Sequence, residues 1–342
     1  LKKKSKNKNH KKIKRLHTAF TVFSTLFLAI LLIIIGLFFY ALYSSSLKLK
    51  IVQVASQVVT SAETVKSSLQ PAKGLPPEPA DIPEAKVTSN FSARSYIVYD
   101  VNTKKIVSTK NPDKKLPNAS TTKITSAILA DEFFELDDIL QVPKNCTSAK
   151  LALEGKQGND VGLLSGQKFY FKDLLYAMLL KSASDATCTV VANFKGGEKE
   201  FILKMNQYAK DNNLLSTKYQ NPYGYDLVLD NKIKHYSSSL DILKTVLKAK
   251  TIETLNTAMQ TREYSIKDLQ KGTSYYLANT NELLYSLPNI IGYKTGTTDL
   301  AKECLALGYK NKNEELVVII LGSNDRYKDT KELLSLYSNS YK

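Results

Sequence analysis

The chain has 342 residues, of which 43% are hydrophobic and 9% aromatic, enough for one large packed domain or two small ones and too apolar for an intrinsically disordered protein. Its net charge of +16 is unevenly spread: residues 1–18 hold nine Lys and Arg and no acid, so 16 − 9 leaves +7 for the remaining 324 residues. A basic tail beside an apolar run points to a membrane surface, and no nucleic-acid partner is expected.

The apolar run is Ala19 to Tyr43, 25 residues without a charge. At about 1.5 Å per residue it spans about 37 Å as a helix, enough to cross a hydrocarbon core of about 30 Å with some tilt. It exceeds the apolar core of a cleaved signal peptide, usually about 7 to 15 residues, and Tyr40-Ala41-Leu42-Tyr43 is a poor cleavage site. A single-pass anchor is therefore expected, with the Lys-rich tail cytoplasmic and everything after Tyr43 extracytoplasmic. Next, Ile51, Val54, Ala55, Val58, Val59, Ala62 and Val65 recur at helical spacing within Leu49 to Leu69, predicting a juxtamembrane helix. Five of the ten prolines then fall between Pro71 and Pro83, the composition of a semi-rigid spacer. The domains so expected are a tail over 1–18, an anchor over 19–43, a helix and linker over 44–91, and a catalytic domain over 92–342.

Within that domain, Ser95 to Asp100 and Lys105 to Ser108 flank a turn at Asn102-Thr103 and read as a β-hairpin. A helix is expected after Ser120, where Ile124, Ala127, Ile128 and Ala130 form a stripe and Asn118 to Ser120 supply capping side chains. Helical patterns continue over Phe171 to Leu180, Ala186 to Asn193, Gly197 to Asn212 and Ser238 to Lys248. Ile291 to Thr295, Cys304 to Tyr309 and Leu316 to Leu321 read as strands, and Lys328 to Tyr337 as a closing helix. The fold class expected is an α/β sandwich whose antiparallel sheet is built from both ends of the domain, with a helical subdomain between. Cys146, Cys188 and Cys304 are odd in number without a Cys-x-x-Cys pair, and read as small buried hydrophobes, with one disulfide as the alternative. With only three histidines, two of them in the tail, no metal or other cofactor is expected.

Three short segments carry chemistry. A serine hydroxyl needs a base, and a residue three positions on along a helix lies on the same face, so Lys123 is placed to serve Ser120 once burial lowers its pKa. Ser-x-x-Lys alone is a weak signal, because Ser5 to Lys8 and Ser45 to Lys48 repeat it. Lys294-Thr295-Gly296-Thr297 occurs once, on an expected strand, where glycine admits a close peptide approach and Lys with Thr hydroxyls suits a carboxylate. Between them, Ser182-Ala183-Ser184 interrupts two helical stretches.

In this order the segments resemble the penicillin-binding-protein and serine β-lactamase superfamily, and within it the low-molecular-mass D-alanyl-D-alanine carboxypeptidases. The likeness extends to Leu116-Pro117-Asn118-Ala119, Asn221-Pro222-Tyr223-Gly224, His235-Tyr236-Ser237, Asn279-Thr280-Asn281 and Gly292-Tyr293. It implies that Ser120 is acylated by a peptidoglycan stem peptide or a β-lactam antibiotic while Lys123 takes its proton. Ser182 would pass a proton to the leaving D-alanine, and Lys294 would hold the local field. Thr295 and Thr297 would meet the terminal carboxylate, Gly296 would border the substrate, and the backbone N–H groups of Ser120 and Thr297 would form an oxyanion hole. One position departs: the family's middle motif is Ser-x-Asn, whereas Ser184 stands here, and a hydroxyl cannot bridge a substrate amide as a carboxamide does. A β-lactamase and a catalytically weak wall-binding protein of the same fold are the other readings, the first disfavoured by the absence of a Glu-x-x-Leu-Asn segment after the middle motif.

Overall fold

Leu316 to Leu321 is apolar at every position, and such a run needs cover on both faces. In the computed structural model, which describes residues 91–156 and 158–338, it becomes the central strand of a five-stranded antiparallel sheet. The strands are β1 (Ser95–Asp100), β2 (Lys105–Lys110), β9 (Ile290–Thr298), β10 (Lys302–Lys310) and β11 (Glu315–Ser323), in the order β2-β1-β11-β10-β9. Both ends of the domain thus build one sheet, as expected. Alternate residues feed two cores. Tyr96, Val98, Leu305, Leu307, Val318 and Ile320 pack with Leu333 and Leu334 of the closing helix, α9 (Arg326–Tyr337). Ile97, Tyr99, Ala306, Val317, Ile319 and Leu321 face the helical side.

That side is organised around α1 (Thr122–Phe133), buried at every position from Thr122 to Ala130. It is packed by α3 (Phe171–Leu179), α4 (Ser184–Asn193), α5 (Gly197–Asp211) and α6 (Ser239–Lys250), so only its last turn meets water. Its polar groups are bonded inside the core: Thr125 Oγ1 pairs with the Tyr219 hydroxyl at 2.7 Å, and Ser126 Oγ donates to Pro222 O at 2.7 Å. Thr122 Oγ1 lies 2.9 Å from His235 Nε2, while His235 Nδ1 accepts from Gln220 N at 3.1 Å, which leaves the proton of the neutral ring on Nε2.

The remaining elements are short: α2 (Ser148–Leu153), α7 (Glu253–Gln260), α8 (Leu283–Ser286), and three hairpins, β3 (Ile139–Gln141) with β4 (Lys168–Tyr170), β5 (Val228–Leu229) with β6 (Lys232–Ile233), and β7 (Glu263–Lys267) with β8 (Ser274–Ala278). The cysteines correct the sequence reading. Cys146 and Cys188, 42 positions apart, are brought to a Cα separation of 5.3 Å by the helical packing and form a disulfide that ties the turn before α2 to α4. Cys304 keeps the buried, free state expected of all three. The tail, membrane segment, juxtamembrane helix and proline-rich linker expected over residues 1–90 lie outside the described residues. Among the described residues no helix is long and apolar enough to cross a membrane.

Candidate active site

Ser120 sits in a single 3₁₀ turn, Ala119–Thr121, that feeds directly into α1. The turn is pinned by Asn118, whose Nδ2 donates to Thr121 Oγ1 at 3.1 Å and to Thr122 Oγ1 at 2.9 Å. Ala119 has φ +45°, a left-handed conformation that an alanine adopts only where its surroundings impose it. The imposition comes from two glycines. A Cβ on Gly224, itself at φ +93°, would fall 1.9 Å from Ala119 O, and one on Gly296 would fall 2.8 Å from Ser120 N. Only residues without side chains let two neighbouring segments close on the backbone of this turn.

Lys123 Nζ donates to Ser120 Oγ at 3.0 Å and to Tyr223 O at 3.0 Å. Its side chain is 1% exposed, and burial lowers its pKa from 10.5 to about 7, against the opposing pull of Asp160 and Asp185. The lysine is therefore neutral in a large fraction of molecules near neutral pH, with a lone pair beside the serine proton.

Lys294 to Thr297 line β9, the edge strand whose outer side meets the Ser120 turn. Lys294 is also 1% exposed, with Nζ donating to Thr295 O at 2.9 Å. Burial, and then the charges of Lys123 and Arg326, hold its pKa well below the usual lysine value. Two buried ammonium groups repel each other, so this pair binds fewer than two protons near neutrality. Thr295 Oγ1 pairs with Thr280 Oγ1 at 2.5 Å, while Thr297 is exposed and accepts from Arg326. Arg326 Nη1 also donates to Gly296 O and Cys304 O, each at 3.0 Å, and its Nε to Glu303 Oε2 at 3.2 Å. That guanidinium, 30 residues beyond the Gly296 it braces, has no motif of its own in the sequence.

The middle segment is joined to the edge strand indirectly, through Thr280. Ser182 has φ +61° on the link between α3 and α4, and Leu180 O accepts from Thr280 N at 3.0 Å, so Thr280 couples this link to Thr295. Among the described residues no direct hydrogen bond joins Ser182 to Ser120, Lys123 or Lys294. Ser184 is placed differently. It is fully buried at the start of α4, and its Oγ makes no hydrogen bond of good geometry, while the Tyr225 hydroxyl near it donates to Lys156 O at 2.7 Å.

A family-wide sequence pattern described as D-alanyl-D-alanine carboxypeptidase, peptidase family S11, matches residues 82–325. The chain belongs to this family. It is 30% identical over 246 residues to the D-alanyl-D-alanine carboxypeptidase DacF of Bacillus subtilis, covering 70% of this chain and 60% of that protein's length. It is 25% identical over 239 residues to the D-alanyl-D-alanine endopeptidase of Escherichia coli, covering 69% of this chain and 73% of the relative. The crystal structure of a Streptomyces DD-transpeptidase superposes with a TM-score of 0.65 at 25% identity, covering 73% of this chain and 98% of that one. An ampicillin-bound penicillin-binding protein of Listeria monocytogenes superposes at 0.59, again with 25% identity, over 73% and 99%. The family's matched region, residues 82–325, takes in the strained Ala119 turn, the Ser182 link and the edge strand alike.

Proposed function

We propose that the chain is an extracytoplasmic serine D-Ala-D-Ala carboxypeptidase, held at the membrane by residues 19–43, that removes the terminal D-alanine from peptidoglycan stem peptides. The observation that carries this reading is the 3.0 Å contact from Lys123 Nζ to Ser120 Oγ, made by a lysine whose pKa burial has lowered to about 7. Ser120 Oγ attacks the carbonyl carbon of the penultimate D-alanine and its proton passes to Lys123. Negative charge collects on the carbonyl oxygen, which the N–H groups of Ser120 and Thr297 stabilise, each donor contributing about 2.7 to 4 kcal/mol. The C–N bond then breaks, Ser182 passes a proton to the leaving D-alanine, and water hydrolyses the Ser120 ester. Lys294, Thr295 and Thr297 bind the substrate's terminal carboxylate, helped by Arg326 on Thr297. The glycine at 296 lets the peptide lie along β9.

An extracytoplasmic location is supported by the Cys146–Cys188 bridge, since disulfides persist in oxidising compartments. A fluorescent penicillin is expected to label the wild-type chain at Ser120, with the mass adduct seen in the intact protein and absent from Ser120→Ala. The same protein should release D-alanine from a stem pentapeptide. An adduct on both proteins, or on neither, would defeat the assignment of Ser120.

A further inference from the structure

The asparagine that the family carries at the third position of its middle motif can both donate to and accept from a substrate amide. Ser184 does neither in this structure. It is sealed under a segment of the link between α2 and β4: Ser184 N donates to Asn159 O at 2.7 Å, and a Cβ on Gly158 would lie 2.7 Å from Ser184 Oγ. The backbone of residues 158 and 159 therefore occupies the space through which a longer side chain at 184 would extend.

The residue standing outside Ser184 is Asn159. It is exposed, and its carboxamide bonds to no other described residue, although its backbone is tied to the start of α4. The segment is fixed on both sides of it. The Asp185 carboxylate accepts from Val161 N at 3.1 Å, Gly162 N at 2.8 Å and Leu163 N at 2.9 Å, and Asp160 Oδ1 accepts from Asp185 N at 3.2 Å. On the other side Lys156 O is held by Tyr225, and the Cys146–Cys188 bridge ties the turn preceding α2 to α4. The segment lies against the middle motif itself, through the Asn159 carbonyl on Ser184 N and Gly158 beside Ser184 Oγ. A carboxamide free to donate and accept is thus presented, on a rigid support, beside the motif that lacks one.

We infer that Asn159 is the substrate-amide-binding residue of this enzyme, its side chain bridging the N–H and C=O of the substrate's acylamino group in place of the motif asparagine. The inference rests on the proposed function, and the two are separated by a pair of drugs. Penicillin G carries an acylamino group beside its lactam ring; 6-aminopenicillanic acid has a bare amine there. Second-order acylation rates of Ser120 are measured with both, on the full chain. Asn159→Ala is expected to slow acylation by penicillin G about tenfold, the loss of a hydrogen-bonded contact, while the rate with 6-aminopenicillanic acid stays within about twofold. Because the side chain is exposed and unbonded, the melting temperature should not move. A penicillin G to 6-aminopenicillanic acid rate ratio equal to that of the wild type would overturn the inference, and so would an equal loss with both drugs, the sign of a purely structural role. A wild-type chain that neither drug acylates refutes the proposed function instead.

Discussion

The pH dependence of Ser120 acylation is set by the burial of Lys123. The lysine must be neutral to take the serine proton, and its pKa is lowered from 10.5 to about 7. At about 1.36 kcal/mol per unit, the protein environment disfavours the ammonium by about 5 kcal/mol relative to water. A base of pKa about 7 is about one-eleventh neutral at pH 6, about half at pH 7 and about ten-elevenths at pH 8. The second-order rate of acylation by a fluorescent penicillin should accordingly rise about fivefold from pH 6 to 7, less than about twofold from 7 to 8, and then level. Asp160 and Asp185 both favour the ammonium, so Asp160→Asn should move the rising limb to lower pH. Lys123→Arg, which keeps a charge and supplies no base, should cost about 10² to 10⁴ in rate. Stopped-flow labelling between pH 5.5 and 10 provides the profile. An exposed lysine would instead give about a tenfold rise per unit through pH 9; that slope, or a flat profile shared by Lys123→Met, would refute the role assigned to burial.

Other consequences can be measured with less apparatus. His235 is buried and neutral, with its pKa pushed down from 6.5 to about 3, so the unfolded chain binds a proton that the folded one refuses throughout that window. Stability from this residue is complete above pH 6.5 and falls by about 1.4 kcal/mol per unit as pH drops toward 3; urea titrations should show that slope in the wild type relative to His235→Gln. Opening the Cys146–Cys188 bridge, which closes 42 positions of chain, should cost about 4 kcal/mol on the loop-entropy relation, and a melting temperature unchanged by reductant would count against it. Gly224→Ala places a carbon 1.9 Å from Ala119 O at a backbone angle that resists it, so penicillin labelling should be lost together with stability, by about 1 to 3 kcal/mol or more. Folded, fully labelled Gly224→Ala protein would show that the Ala119 turn does not depend on that contact.

Which of these features could be read from the sequence depended on how far each signal extends along the chain. Leu316 to Leu321 announced a strand covered on both sides because six consecutive residues repeat the same demand. Ser120 and Lys123 were legible because a helical turn fixes their geometry over three positions, and Lys294 to Gly296 because the segment is contiguous. The β7–β8 hairpin carried no such signal: of Glu263 to Lys267 only Ile266 is fully buried, with Tyr264 half-buried, too few inward positions to mark alternation. Arg326 was missed for a related reason, since its partners Gly296, Thr297 and Cys304 come from two other strands. The Cys146–Cys188 pairing and the cover over Ser184 are of the same kind, each joining segments that only helical packing brings together.

Ser184 is where that limit bears on chemistry. Along the chain, a serine at the asparagine position of the motif is a loss, and slow turnover is the natural expectation. In the fold, the same small residue sits close under Gly158 and Asn159 at the start of α4, where a Cβ on Gly158 would already fall 2.7 Å from Ser184 Oγ. The hydroxyl left without a well-formed hydrogen bond there costs about 1 to 3 kcal/mol. Against it stand the backbone bond to Asn159 and the three N–H groups gathered by Asp185, all of which depend on the segment lying where it does. The substitution and the segment are thus one structural arrangement. Restoring the family's residue by Ser184→Asn should therefore disturb the segment and lower the melting temperature without raising the acylation rate, and a faster, equally stable Ser184→Asn enzyme would show that the two vary independently.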